Sequence, residues 1–133
     1  MANGRFDAWA VAMWASTAPV ISSATLKAAL IDSADVTVST ATHDFWNDIS
    51  VGSVATATLG SKTTTTGTFD AADTTMTAVS GDTAEVVVIY DDTGNAATSQ
   101  LMLYFDTFTS GMPVTPNGGD ITLQWNGAGI ASI

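Results

Sequence analysis

Two near-continuous apolar runs constrain the fold more than any other feature: EVVVIY at residues 85–90 and LMLYF at residues 101–105. A strand that alternates apolar and polar residues can leave one face wet, whereas a strand that is apolar throughout needs cover on both. Between the runs lies DDTGNAATSQ, where Asp92, Gly94 and Asn95 supply the dihedrals of a turn. The two runs therefore read as a hairpin inside a sheet.

Weaker alternations surround that pair. Leu26, Ala28 and Leu30 alternate with Thr25, Lys27 and Ala29, and Val36 and Val38 with Thr37 and Ser39. Ala55, Ala57 and Leu59 alternate with Thr56 and Thr58, and Met76 and Ala78 with Thr75 and Thr77. Ile121, Leu123 and Trp125 alternate with Thr122 and Gln124, giving a last strand with one dry and one wet face. Short strands at turn spacings of about 8–12 residues predict a mainly β protein, an antiparallel β-sandwich or barrel-like domain. Threonine, abundant here, suits such strands because it is β-branched and tolerates water. KTTTTGT at 62–68 reads as a solvated strand edge or loop. With no linker or long repeat, the 133 residues form a single domain, residues 1–20 helical and 24–133 β-rich.

At the start of the chain the period changes. Phe6, Trp9, Ala10, Met13 and Trp14 fall on one stripe of a helix spanning about residues 4 to 15. Asn3 is its expected N-cap, Asp7 suits the helix dipole, and Pro19 bounds it. Alanines at 8, 10, 12 and 15 spread apolar character around the circumference, and such a helix needs cover on more than one side. Either the domain buries it wholly or a partner completes the cover, and the second is favoured. Candidate interface residues are Phe6, Trp9, Met13 and Trp14, with Trp125, Ile130 and Ile133 near the other end. Residues 41–49, ATHDFWNDI, predict a second short helical segment carrying Phe45, Trp46 and Ile49. Residues 8–15 follow Arg5 and precede Ser16-Thr17-Ala18, which mimics a secretory leader, but Asp7 and Pro19 argue against one. The run is also shorter than the roughly 20 residues that span a bilayer.

Charge narrows the partners. Charged residues make up only 12% of the chain, where about 25% is usual. Acidic residues number 13 against 3 basic ones (Arg5, Lys27 and Lys62), for a net charge of -10. Such a surface cannot neutralise phosphates and is repelled by anionic lipid, so neither nucleic acid nor membrane is an expected partner. Self-association has to rest on uncharged contacts.

Chemistry is sparse. The absence of cysteine excludes disulfides, thiolate metal sites and cysteine nucleophiles. His43 is the one imidazole, and on a strand its neighbour Asp44 would point to the opposite face, so it reads as a capping or surface histidine. Neither G-x-S-x-G nor a phosphate-cradling loop occurs. DDTGN at 91–95 resembles part of a calcium loop, but the single glutamate, Glu85, lies upstream rather than late in the loop. It reads as a turn, as do Asp70 and Asp73 in FDAAD, with a weak cation site at either the alternative. The expectation is no catalytic residue, no cofactor and no metal, hence no enzyme. The four tryptophans sit in apolar periodic patterns, which favours core or interface over a sugar-stacking platform. In MPVTPNGGDITLQW at 112–125, Pro113 and Pro116 keep the segment out of a central ladder, and Asn117-Gly118-Gly119 reverses the chain. That loop aims a strand; it grips nothing.

TAVSGDTAEVVVIYDDTGNAATSQLMLYFDT followed by GMPVTPNGGDITLQW resembles a family of small tailed-phage structural proteins, closely over residues 77–126. GRFDAWAVAMWA, TLKAALID and THDFWNDI stand where that family has a short helix, a strand and a small helix; the final NGAGIASI departs from it. The resemblance implies a capsid cement or decoration protein on the virion exterior. Its implied partners are the major capsid protein and copies of itself, a homotrimer ahead of a homodimer. A tail, baseplate or host-binding virion component is the alternative, and a small hydrolase finds no supporting constellation.

Overall fold

The computed structural model describes residues 3–132. In chain order the elements are β1 (Gly4–Arg5), α1 (Asp7–Trp14), β2 (Leu26–Ile31), β3 (Ser53–Thr58), β4 (Thr63–Thr65), β5 (Thr68–Asp70), β6 (Thr74–Met76), β7 (Val86–Asp91), β8 (Leu101–Phe105), β9 (Ile121–Leu123) and β10 (Ala131–Ser132). The second helical segment is two short 3-10 turns, Trp46–Asp48 and Ser50–Gly52, displaced from the expected 41–49 because Phe45 is held in an isolated bridge to Gln100. The fold is mainly β, with antiparallel sheets and one short helix, as the alternations predict.

The hairpin is present and lies inside the largest sheet. That sheet has five strands in the order β1-β8-β7-β2-β3. Val86 to Tyr90 in β7 and Leu101 to Tyr104 in β8 are all buried, so both faces are dry. β2 is drier than its alternation suggests: Ala28, Ala29, Leu30 and Ile31 are fully buried, because β7 and β3 flank it while other elements cover both faces. A three-stranded sheet (β10-β5-β4) and the pair β6-β9 complete the body. The hairpin turn forms as expected. Asp92 Oδ1 accepts the Gly94 N–H at 2.9 Å, Gly94 adopts φ +87°, and buried Ser99 donates to the Asn95 carbonyl at 2.9 Å. Lys27 closes the turn onto β2 through an ion pair with Asp92 at 2.9 Å.

Three local expectations are corrected. The helix begins at Asp7 rather than near residue 4, because Gly4 and Arg5 are drawn into the sheet edge opposite Tyr104 and Leu103. Asn3 is therefore not the N-cap; Phe6 occupies that position without a side-chain bond. Asn3 instead accepts the N–H groups of Asp106 (2.8 Å) and Thr107 (2.9 Å), stapling the chain start to the end of β8. Val36 and Val38 lie outside any strand. Asp32 turns the chain there, its Oδ1 accepting the Ala34 N–H (2.8 Å) and its carbonyl the Asp35 N–H (3.2 Å). Val38 still reaches the core from that loop. β6 stops at Met76 because Ala78 adopts the left-handed φ of +49°.

Pro113 and Pro116 act as expected: from residues 112–116 only Val114 pairs, in an isolated bridge to Ala84. Gly118 at φ +89° then reverses the chain, with Asn117 Oδ1 accepting the Gly119 N–H at 2.9 Å. The following strand, β9, has the expected half-buried Ile121 and Leu123 around exposed Thr122.

Two positions give direct tests of this packing. Gly52 is buried where the 3-10 turns meet β2, and a Cβ there would lie 2.4 Å from Val36 Cγ1 and 3.1 Å from the Asp32 carbonyl oxygen. Gly52→Ala is expected to cost about 1–3 kcal/mol by overpacking, read by urea denaturation. Adding Val36→Ala should recover part of the loss. Asp48 Oδ2 accepts the N–H groups of Phe45 (3.0 Å) and Asp44 (2.9 Å), and these bonds hold its pKa below 3.8. A group lowered on folding stabilises fully above its unfolded value, and the gain fades as pH falls through the folded value. Asp48→Ala should therefore lower the Tm at pH 7, with the deficit shrinking as pH falls below 3.8 and through the folded value.

Candidate functional site

The fold gathers apolar side chains from four elements around one groove of about 640 Å³. Trp9 and Met13 of α1, Leu103 and Phe105 of β8, Phe69 of β5, and Ile130 with Ala131 of β10 line it. Asn3, Gly4, Arg5, Thr64, Gly67 and Thr68 supply its polar boundary. A second, more polar groove of about 720 Å³ adjoins it, sharing Asn3, Phe105 and Ile130. Trp125 lines this second groove, tilted against Phe105 with ring centroids 6.4 Å apart. Its indole donates to the Ala72 carbonyl at 3.1 Å and so is fixed in place.

The candidate interface residues separate into distinct environments. Phe6 is fully buried and Trp9 only 5% exposed, so the chain itself covers both. Met13 and Ile130 are half-buried in the first groove and Trp125 in the second. Trp14 stands outside both grooves at 89% exposure, beside Val11 at 66%, with Val20 beyond the helix at 64%. Ile133 lies outside the described residues. The helix is thus covered on the Trp9–Ala12 side and bare on the Val11–Trp14 side. Sequence reasoning missed Arg5, Phe69, Leu103 and Phe105. No local pattern marks them as neighbours, since Arg5 and Leu103 meet only through the β1–β8 pairing.

Trp9 also buries its indole N–H without an acceptor among the described residues. Buried donors nearly always find one, so this lining residue of the groove carries an unmet polar group.

Several titratable side chains of the described residues fasten loops and turns. His43 Nδ1 accepts the Ser39 N–H at 3.0 Å, so the ring fastens a loop rather than capping a helix. Asp70 Oδ1 accepts the adjacent Ala71 N–H, a local bond, whereas Asp73 Oδ1 accepts the Trp125 N–H from 52 residues away and so ties the chain after β9 to the start of β6 instead of closing a turn. At the hairpin turn, burial and then the neighbouring Asp92 push the Asp91 pKa up. The Gly94 N–H, then Lys27, pull that of Asp92 down. Tyr90 is pushed up to about 12, first by burial and then by Asp92. The acidic group able to hold a cation among the described residues is a different one, Asp32, Asp35 and Asp82, with carboxylate oxygens within 4.8 Å of one another. Sequence spacing could not show it, because Asp82 lies far from the other two along the chain. Asp32, its buried member, already uses Oδ1 on the Ala34 N–H.

No protein-family model matches the chain, and no curated protein matches it either. What fold and site define together is a mainly β domain carrying an apolar groove and a bare helix edge.

The two helix tryptophans should therefore behave oppositely. Trp9→Ser is expected to lose about 3–5 kcal/mol of stability, the range for emptying a buried tryptophan site. Trp14→Ser should change stability by less than about 0.5 kcal/mol, as at other exposed positions. Urea titrations of the two variants distinguish them.

Proposed function

We propose that this protein is a structural virion component, a cement or decoration protein. It binds the outer surface of a tailed-phage capsid and stabilises contacts between major capsid subunits. The observation that carries the reading is the unfinished apolar cover of α1: Val11 and Trp14 are bare on a chain with few charges. Exposed aromatic and aliphatic groups so placed fit a protein–protein contact. The resemblance of residues 77–126 to small phage structural proteins gives that contact its setting.

The mechanism is linkage. A protein that binds only the assembled shell stabilises it by mass action, with no chemical step. Copies related by symmetry, a homotrimer ahead of a homodimer, multiply contacts that are weak singly. A net charge of -10 keeps the protein off packaged DNA and away from anionic lipid, and it requires the contacts themselves to be neutral.

Copy number on purified virions tests the reading. Hundreds of copies over the head are expected, together with a raised rupture temperature relative to undecorated heads. A few dozen copies at one vertex would instead mark a tail or baseplate component. Trp14→Ser should weaken head binding by about 2 kcal/mol or more, the loss typical of an interface tryptophan, without changing the Tm of the free protein.

A further inference from the structure

Three of the five asparagines precede glycine: Asn3-Gly4, Asn117-Gly118 and Asn126-Gly127. An asparagine so placed can react with its own chain. The backbone nitrogen of the next residue attacks the side-chain amide carbon, and glycine, lacking a Cβ, leaves that approach open. The fold treats the three pairs differently. The Asn3 amide is held by three hydrogen bonds, accepting the Asp106 and Thr107 N–H groups and donating to the Thr107 carbonyl, and Gly4 lies in the ladder opposite Tyr104. Asn117 and Asn126 form a matched pair. Both are exposed, and each Oδ1 accepts the N–H two residues ahead, of Gly119 and Ala128, at 2.9 Å. This side-chain turn folds each amide back along the following peptide. They differ at the attacking nitrogen. The Gly118 N–H donates to the Val79 carbonyl at 2.7 Å, whereas the Gly127 N–H has no acceptor among the described residues. A bonded N–H is pinned and resists loss of its proton; a free one is neither. A Cβ at Gly127 would meet nothing within 4 Å, so the site has room for a ring to close.

We infer that Asn126 is a site of spontaneous chain modification, an intramolecular deamidation that the fold permits there and restrains at Asn3 and Asn117. The Gly127 nitrogen bonds to Asn126 Cγ, its proton passes through water to the side-chain nitrogen, and that nitrogen leaves as ammonia. Water then opens the cyclic imide at either carbonyl. One opening leaves aspartate; the other leaves isoaspartate, whose backbone runs through Cβ and gains a methylene. Asn126 lines the second groove beside Trp125, so either product sets a new carboxylate there. The Asn126 carbonyl also accepts the Gly129 N–H at 2.9 Å, and the turn so closed delivers the Ile130 N–H to the Phe69 carbonyl at 2.7 Å and β10 to β5. Gly129 passes so near β5 that a Cβ would lie 2.3 Å from Thr68 Cγ2. That turn has no slack for an inserted methylene, so the isoaspartate form unseats β10.

The test holds the whole folded protein in warm, mildly alkaline buffer and follows its asparagines by peptide mass spectrometry. The mass change of ammonia lost and water gained should appear first at Asn126, about five- to tenfold faster than at Asn117, the factor one backbone hydrogen bond supplies. In urea that unfolds the chain the excess should vanish, because it belongs to the fold and not to the Asn-Gly pair. Gly127→Ala should slow the reaction at Asn126 and leave the Tm unchanged, since its methyl group meets open space. Equal rates at Asn126 and Asn117 in the folded protein, the same excess persisting in urea, or an undiminished rate in Gly127→Ala would each overturn the proposal. Asn126→Asp separates the new charge from the inserted methylene. Its Ile130 amide should stay protected from hydrogen exchange while the purified isoaspartate form loses protection there. Equal protection in the two would overturn the link to β10.

Discussion

The structure depends on the pairing of β7 with β2 on one side and β8 on the other. Its residues from Val86 to Tyr90 are apolar or aromatic and almost wholly out of water. A backbone group left unpaired in that setting would cost more than the bond itself is worth. The ladder is therefore obligatory, and its neighbours are arranged to complete it. Lys27 and Asp92 fasten β2 to the hairpin turn. Trp46 stacks on Tyr90 with ring centroids 4.2 Å apart and planes 4° from parallel, covering the end of the central strand. The 3-10 turns that deliver Trp46 also bring Gly52 against β2, where Asp32 donates its N–H to the Gly52 carbonyl at 2.8 Å.

This centre was legible in the sequence because its signals are local. The five apolar residues from Val86 to Tyr90 need two covered faces wherever they lie, and Asp92-Thr93-Gly94-Asn95 turns for reasons internal to itself. Signals failed where tertiary contacts outweighed propensity. Val36 and Val38 alternate like a strand, yet Asp32 captures the backbone at Ala34 and Asp35 and bends the segment away. Asn3 has the chemistry of a cap, yet it is more useful to the chain at Asp106 and Thr107, whose N–H groups lie just past β8.

The candidate site was legible only in part, for the same reason. Periodicity marked α1 as apolar all round, but the stripe does not say which side the domain covers. Trp9 and Trp14 look alike in sequence and differ entirely in exposure. The groove needs β1 beside β8 and β10 beside β5, pairings that join residues a long way apart in the chain. Acidic residues behave likewise: Asp92 forms the hairpin turn its own neighbours mark, while Asp82 joins Asp32 and Asp35 across space.

The distance between β1 and its partner strand also governs how the chain is made. Tyr104, which Gly4 faces, emerges from the ribosome a hundred residues after it. At synthesis rates of about 5–20 residues per second, that interval lasts roughly 5–20 s. Through it α1 has no sheet to lie on, and Phe6 and Trp9 stay in contact with water or with whatever binds nascent apolar segments. The segment carrying β1 and α1 thus waits for a strand made long after it and is among the last to be secured.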